Sequence, residues 1–227
     1  VMKRGNIRDT LVFKNNEEFL SQKDAVIATG SLRRKAQWLN RYPTHTIVGL
    51  RGNVNTRLEK LEDNEWNGAI FAASGLGRID VRPEKAINLE WMVPAPAQGA
   101  IMMTVREEDK ELRAICAEIN HEESEICTAI ERRFLNLLEG GCSAPIGAIA
   151  FIKNEEVSFQ GVVLSLDGTK KIAVTRKEAL GNHHNIAEFC ANYIIERGGN
   201  RLMDDLKNAD KQTQIYSTKS LTEAQRH

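Results

Sequence analysis

Short apolar runs and amphipathic stretches alternate along the first part of the chain. Apolar runs typical of buried strands occur at 24–29, 45–50 and 68–74, and the apolar spacing of a helix occurs at 31–42 and 54–63. Ser31 precedes the first helical stretch, at the position where a serine caps free backbone N–H groups. Strands that alternate with helices predict βαβ units and a parallel-rich sheet, and so an α/β domain.

The pattern changes in the second half. A stretch rich in proline and glycine (91–100) leads into a predicted strand at 100–105 (AIMMTV) and two predicted helices at 109–120 and 124–141. Beyond Pro145, the sequence predicts three antiparallel strands with turns at 153–156 and 167–168, followed by a helix near 185–197. This half is predicted to be an α+β domain with a three-stranded antiparallel sheet.

The predicted elements divide the chain into four parts. They are an α/β domain at 1–93, a connecting segment at 94–120, an α+β domain at 121–207 and a tail at 208–227. The α/β part is similar to periplasmic binding proteins in its architecture, although a fold alone does not give a function.

Composition narrows the classes of protein. Lysine plus arginine equals aspartate plus glutamate, at 31 each, so a generally basic nucleic-acid binder is not expected. The longest apolar run, 146–152, is far shorter than the roughly 20 residues of a membrane-spanning helix. The four cysteines lack the spacing of a zinc site, so no metal is predicted, and scattered cysteines are typical of free thiols in a cytoplasmic protein.

Two successive strand-to-helix junctions carry basic side chains. Between Ser31 and Arg57 the chain has six lysines and arginines and no acidic residue. Arg33 and Arg34 open one predicted helix, whereas Arg51 and Arg57 flank the start of the next. Helix N-termini and the carboxyl ends of parallel strands meet at one sheet edge, so these residues predict an anion site, above all for carboxylates.

The basic stretch also allows other interpretations. A solvated basic surface needs no ligand, and a non-catalytic anion-binding module needs no chemistry. Nucleic-acid binding needs aromatic side chains that stack on bases, and the nearby Trp38 and Tyr42 are equally consistent with packing positions. The GLG at 75–77 lacks the third glycine of a phosphate loop and is predicted to be a turn.

Five motifs, in order, resemble the porphobilinogen deaminase (hydroxymethylbilane synthase) family. They are TGSLRRKAQ (29–37), GLRGNVNTRLEKL (49–61), AASGLGRI (72–79), PAPAQGAI (94–101) and LEGGCSAPIGA (138–148). The resemblance implies a cytoplasmic transferase of tetrapyrrole (haem) biosynthesis that joins four porphobilinogen molecules into hydroxymethylbilane and releases ammonia. It also implies a covalent dipyrromethane cofactor and a monomeric parent protein with no nucleic-acid or membrane partner.

The resemblance assigns roles to individual residues. Cys142, which lies between two glycines and a proline, is expected to hold the cofactor through a thioether. The residues expected to bind or line the cofactor are Thr29, Ser31, Arg33, Arg34, Arg51, Gly52, Arg57 and Ala72, and those expected to contact substrate are Arg51, Arg57 and Gln98. Each pyrrole ring carries an acetate and a propionate, so the implied ligand is the kind of anion that the arginine cluster predicts.

The chain departs from the family pattern in two places. Gly30 stands where the family commonly has a serine. The family's N-terminal part, with an H-S-x-K-D motif and its catalytic aspartate, has no counterpart here, and the chain begins with valine. We therefore expect a piece of a longer protein that shows no turnover alone. Its segment 94–120 would return to the absent first domain and otherwise expose apolar surface.

The tail carries a further resemblance. QIYSTKSLTEAQ (214–225) is similar to the opening strand and helix of uroporphyrinogen III synthase. The parent protein is therefore expected to be fused to that enzyme or followed by it, and an ordinary tail is the alternative.

Overall fold

The computed structural model describes residues 1–138 and 144–203. Cys142 and the tail at 208–227 lie outside these residues. In the described part, no helix combines the length and the apolar character needed to cross a bilayer.

The first half forms a five-stranded mixed sheet, here sheet A. Its strands in chain order are β1 (Asp9–Phe13), β2 (Val26–Ala28), β3 (Thr46–Val48), β4 (Gly68–Ala72) and β5 (Ala86–Asn88). Their spatial order is β3-β2-β4-β1-β5. Strand β2 pairs in parallel with β3 and β4, whereas β1 pairs antiparallel with β4 and β5. Four of the five strands therefore point the same way, which agrees with the predicted parallel-rich sheet.

Three helices follow strands of sheet A. They are α1 (Leu32–Arg41), α2 (Val54–Asp63) and α3 (Ala73–Arg78). Ser31 caps α1 as predicted, and the Asn53 side chain caps α2 by accepting a hydrogen bond from the backbone N–H of Thr56 at 2.9 Å. The predicted turn at 75–77 is wrong, because these residues lie inside α3.

The second half contains sheet B and three helices. The antiparallel strands are β6 (Ile146–Lys153), β7 (Glu156–Leu164) and β8 (Lys171–Ala179), and the helices are α4 (Lys110–Glu118), α5 (Glu122–Leu137) and α6 (Ile186–Glu196). The three predicted strands and both predicted turns are confirmed. One face of sheet B packs on α5 and α6, with Phe134 and Phe159 at its centre, 5.1 Å apart between ring centroids.

The other face of sheet B packs against α1 and the end of the first half. Ile149, Val162 and Leu164 share a core with Ala36 of α1 and Val93. Residues of β6 and β7 therefore contribute to two cores, one on each face of the sheet, whereas most of β8 is at least partly exposed. The β7–β8 turn also contacts the end of α1, where the side-chain amide of Asn40 donates to the carbonyl of Gly168 at 2.8 Å.

The structure also differs from the predictions in its strands. Strands β1 and β5 were not predicted, because β1 has only three apolar residues after Asp9 and Thr10, and β5 is only three residues long. The strand predicted at 100–105 is wrong, since these residues form neither a strand nor a helix. No strand of the described residues pairs with them, and without a partner the extended backbone has no ladder of hydrogen bonds to join.

Segment 94–120 exposes apolar side chains, as expected. Between 37% and 52% of the surface is exposed in the following seven residues: Ile101, Met102, Met103, Val105, Leu112, Ile115 and Ile119. An apolar set of this size at successive positions is more typical of an interface than of a solvated surface.

We predict that the chain of residues 1–227, prepared alone, associates with itself through this segment. Sedimentation velocity at rising concentration should show association, and replacing Ile101 and Ile115 by serine should weaken it. Phe151→Ser is the control, because Phe151 is equally exposed at 52% but lies on sheet B. A monodisperse monomer at all concentrations would contradict the prediction.

Candidate functional site

The two basic junctions meet at one edge of sheet A. The backbone N–H of Thr29, just after β2, donates to the carbonyl of Val48 at the end of β3, at 2.9 Å. Helix α1 starts three residues beyond Thr29 and α2 starts six residues beyond Val48. Two helix N-termini, each with free N–H groups and a partial positive charge, therefore lie at the same sheet edge.

A buried carboxylate lies between two of the predicted anion-binding arginines. Asp9, the first residue of β1, has no exposed surface. Arg33 donates to its Oδ2 at 2.6 Å and to its Oδ1 at 3.3 Å, and Arg34 donates to Oδ1 through Nε at 2.9 Å. Both guanidinium groups also donate to backbone carbonyls, Arg33 to Val93 and Arg34 to Ile70. The two arginines are thus held inside the protein and are not on a solvated surface.

The pKa values of Asp9 and Arg34 are set by burial and by the neighbouring charges. Burial alone would raise the pKa of the Asp9 carboxyl, but the charges of Arg33 and Arg34 outweigh it and hold the pKa below its ordinary value. Burial lowers the pKa of the Arg34 guanidinium, Asp9 opposes this, and the charges of Arg33 and Arg57 lower it further. Arg57 of the second junction is therefore electrostatically coupled to the first.

Gln98 completes the group around Asp9. Its side-chain amide donates to Asp9 Oδ1 at 3.1 Å and to the carbonyl of Ile7 at 2.8 Å. Its oxygen accepts from Arg33 Nη2 at 3.1 Å. The residue lies beside the arginines, as a binding residue would, but its amide already has protein partners. Its contact with substrate stays a prediction.

The second junction is more open. Arg51 and Gly52 are exposed and Arg57 is half-buried. The Nε of Arg57 donates to the carbonyl of Gly52 at 2.7 Å, which fixes the guanidinium above the loop. In the described residues the Nη groups of Arg57 and the guanidinium of Arg51 have no hydrogen-bond acceptor, so they can bind an anion.

The remaining predicted residues line the same edge. Ala72 ends β4 directly opposite Asp9 in the strand register. The hydroxyl of Thr29 accepts from the backbone N–H of Ser31 at 3.3 Å, and the hydroxyl of Ser31 caps α1. The structure therefore brings together every predicted binding residue that it describes. Cys142 lies outside the described residues.

The glycine in place of serine at position 30 has a structural reason. A Cβ on Gly30 would collide with the carbonyl oxygen of Leu50, which follows β3. The glycine lets the two junction loops approach closely.

Asp9 is the site residue that the sequence analysis missed. The signal was present, because an aspartate opens a continuous apolar run, DTLVF, in which a charge needs a partner once buried. The nucleic-acid interpretation also loses support here. Trp38 is fully buried and packs with Tyr42 at 4.8 Å between ring centroids, so neither ring is a free stacking platform.

Comparison with known proteins identifies the family. Residues 1–114 match the family model described as "Porphobilinogen deaminase, dipyromethane cofactor binding domain", and residues 125–195 match "Porphobilinogen deaminase, C-terminal domain". The chain belongs to the porphobilinogen deaminase family. Its sheet edge therefore lies in the part that the family uses to bind a dipyrromethane cofactor, and the family consists of transferases of tetrapyrrole biosynthesis.

Individual relatives agree with this assignment. The chain is 35% identical over 207 residues to porphobilinogen deaminase of Macrococcus caseolyticus, covering 89% of the chain and 67% of the relative. It is 36% identical over 210 residues to that of Desulforamulus reducens, covering 91% and 68%. It is 36% identical over 213 residues to that of Bacillus subtilis, covering 91% and 67%.

Asp9→Asn should destabilise the fold by about 3–5 kcal/mol at neutral pH, because it leaves two buried arginines without their counter-charge. The folded-state pKa of Asp9 is lowered, so its contribution is complete above the unfolded pKa of about 3.9 and is lost as pH falls through the folded value. Urea unfolding from pH 7 down to pH 3 checks this.

The difference between wild type and variant should shrink below about pH 4. Asp24→Asn is the matched control, because Asp24 is exposed, and it should change stability little at any pH. A difference for Asp9→Asn that stays constant over the range would contradict the assignment.

Proposed function

We propose that the chain supplies the cofactor-holding part of an enzyme that joins four porphobilinogen molecules into hydroxymethylbilane and releases ammonia. The observation that carries the proposal is the meeting of Arg33, Arg34, Arg51 and Arg57 with two helix N-termini at one sheet edge. Asp9 neutralises one of the four arginine charges, and the excess positive charge suits a ligand with several carboxylates.

The donor set fits a dipyrromethane. The Nε of Arg33 is buried and has no hydrogen-bond partner among the described residues, which is unusual for a buried donor. Arg51 and Arg57 offer guanidinium groups to acetate and propionate side chains, and the N-terminus of α1 offers backbone N–H groups next to Ser31. When bound, the dipyrromethane supplies the covalent primer on which the product chain is built.

The pKa and burial of the thiols distinguish the cysteines as possible anchors for the covalent cofactor. Burial raises the pKa of the Cys127 thiol to about 11 and that of Cys190 to about 12, so neither forms a thiolate readily near neutral pH. Both lie in the core between sheet B and its helices. Cys142, in the glycine-rich sequence after α5, is our proposed thioether anchor.

We propose that residues 1–227 have no turnover alone. The carboxylate that the described residues place against Arg33 and Arg34 is Asp9, and its oxygens already accept hydrogen bonds from three side chains. A carboxylate fixed in this way, with a lowered pKa, is a poor general acid at neutral pH. The acid–base group is expected from the family's N-terminal part.

The remaining proposals concern the protein's surroundings. A cytoplasmic location is consistent with free thiols at Cys116, Cys127 and Cys190. We propose that the parent protein is a monomer. We also propose that it has no nucleic-acid partner, because the buried Arg33 and Arg34 cannot follow a phosphate backbone. A link to uroporphyrinogen III synthase remains a hypothesis from the tail sequence.

Intact mass and peptide mapping of the full-length protein test the anchor. We predict a dipyrromethane adduct on the peptide that contains Cys142, lost in Cys142→Ser and kept in Cys116→Ser. A protein that binds porphobilinogen but carries an unmodified Cys142 would instead be a non-catalytic anion-binding module.

Turnover of the separate chain tests whether residues 1–227 need an acid–base group from another part of the protein. Residues 1–227 incubated with porphobilinogen should release no ammonia above background, whereas the full-length protein should release it steadily. Steady turnover by the separate chain would show that its own residues supply the acid–base group.

A further inference from the structure

A buried glutamate outside the arginine site joins separate segments of the chain. Glu131 of α5 has no exposed surface. Its Oε1 accepts from Arg4 Nη1 at 2.6 Å and from the backbone N–H of Ala150 at 2.7 Å. Its Oε2 accepts from Arg4 Nη2 at 2.9 Å and from the backbone N–H of Ala97 at 2.7 Å. One carboxylate thus holds the N-terminal segment, sheet B and the loop after Val93.

Arg4 and Glu131 together fix the backbone at Ala97 and Gln98. Ala97 has a φ of +60°, in the left-handed region that residues with a side chain seldom adopt. Its N–H is held by Glu131, and the carbonyl of the next residue, Gln98, accepts from Arg4 Nε at 2.9 Å. An unfavourable conformation persists where surrounding contacts hold it, and these two hydrogen bonds lie on either side of it.

The conformation at Ala97 determines where the Gln98 side chain points. That side chain bonds Asp9, Arg33 and the carbonyl of Ile7. Glu131 is therefore linked to the carboxylate that orients both buried arginines. Hydrogen bonds connect Glu131 and Arg4 to the backbone at 97–98, and the Gln98 side chain connects that backbone to Asp9.

We propose that Glu131 is a positioning residue for the arginine site and acts through Arg4, Ala97 and Gln98. The inference builds on the proposed function, because it concerns how the site holds its anionic ligand. Glu131 also lies 11 residues before Cys142 in the sequence, on α5. The same carboxylate thus relates the anchoring half of the protein to the anion-binding half.

The test compares Glu131→Gln with Ile130→Val in the full-length protein. The first variant keeps the side-chain size but replaces one acceptor oxygen by a donor that faces Arg4 and a backbone N–H. The second variant trims the core on the same helix and leaves the four hydrogen bonds in place. Hydrogen–deuterium exchange of segments 29–34 and 94–98 should become about tenfold faster in Glu131→Gln and stay at the wild-type rate in Ile130→Val.

Steady-state kinetics add a readout that lost stability alone does not move. KM for porphobilinogen should rise about tenfold in Glu131→Gln with a smaller change in kcat, because the loss concerns ligand binding. Arg4→Lys keeps the charge but loses the planar fork, and it should shift exchange and KM in the same direction. If Glu131→Gln does not fold, Arg4→Lys replaces it in both measurements.

Faster exchange confined to the residues around 131 and 150 would overturn the proposal. Equal KM values in Glu131→Gln and Ile130→Val would overturn it as well. A wild-type protein without an adduct on Cys142 would refute the proposed anchor but not the role of Glu131. Hydrogen exchange measures the coupling between Glu131 and the arginine site and does not require turnover.

Discussion

Two arginine side chains buried side by side need a counter-charge, and Asp9 provides it from β1, the strand between β4 and β5 in sheet A. The ion pairs with Arg33 and Arg34 fix the start of α1 over the ends of β1 and β4. Because the backbone carbonyls of Val93 and Ile70 each accept a further hydrogen bond, from Arg33 and Arg34 respectively, the guanidinium planes have defined orientations. An anion site built in this way is rigid before any ligand arrives, which reduces the entropy lost on binding.

The same ion pairs depend on the direction of β1, which is antiparallel to both of its neighbours, β4 and β5. Strand β1 begins at this sheet edge, so its first residue, Asp9, lies next to the two arginines at the start of α1. Since β2 and β4 end at this edge, a strand that begins there is antiparallel to them. The register that sets Asp9 opposite Ala72 brings the carboxylate to the carboxyl end of β4, where the arginines lie.

The sequence predicted local elements well and long-range partners poorly. Helices α1 and α2 follow from their caps and apolar spacing, and sheet B follows from strand-like runs separated by turn residues. The arginine cluster follows from its place at two junctions. Asp9 and Glu131 do not, because their partners lie 24 and 127 residues away in the chain, and no local pattern records such a pairing. The strand predicted at 100–105 fails for a related reason, since a strand depends on a partner that local propensity does not supply.

A crystal structure of the full-length protein with its cofactor would test the account most directly. The account predicts that Arg33 and Arg34 stay paired with Asp9, while Arg51, Arg57 and the N-terminus of α1 contact the carboxylates of the ligand. A ligand whose carboxylates displace Asp9 from both arginines, or one bound away from this sheet edge, would contradict it.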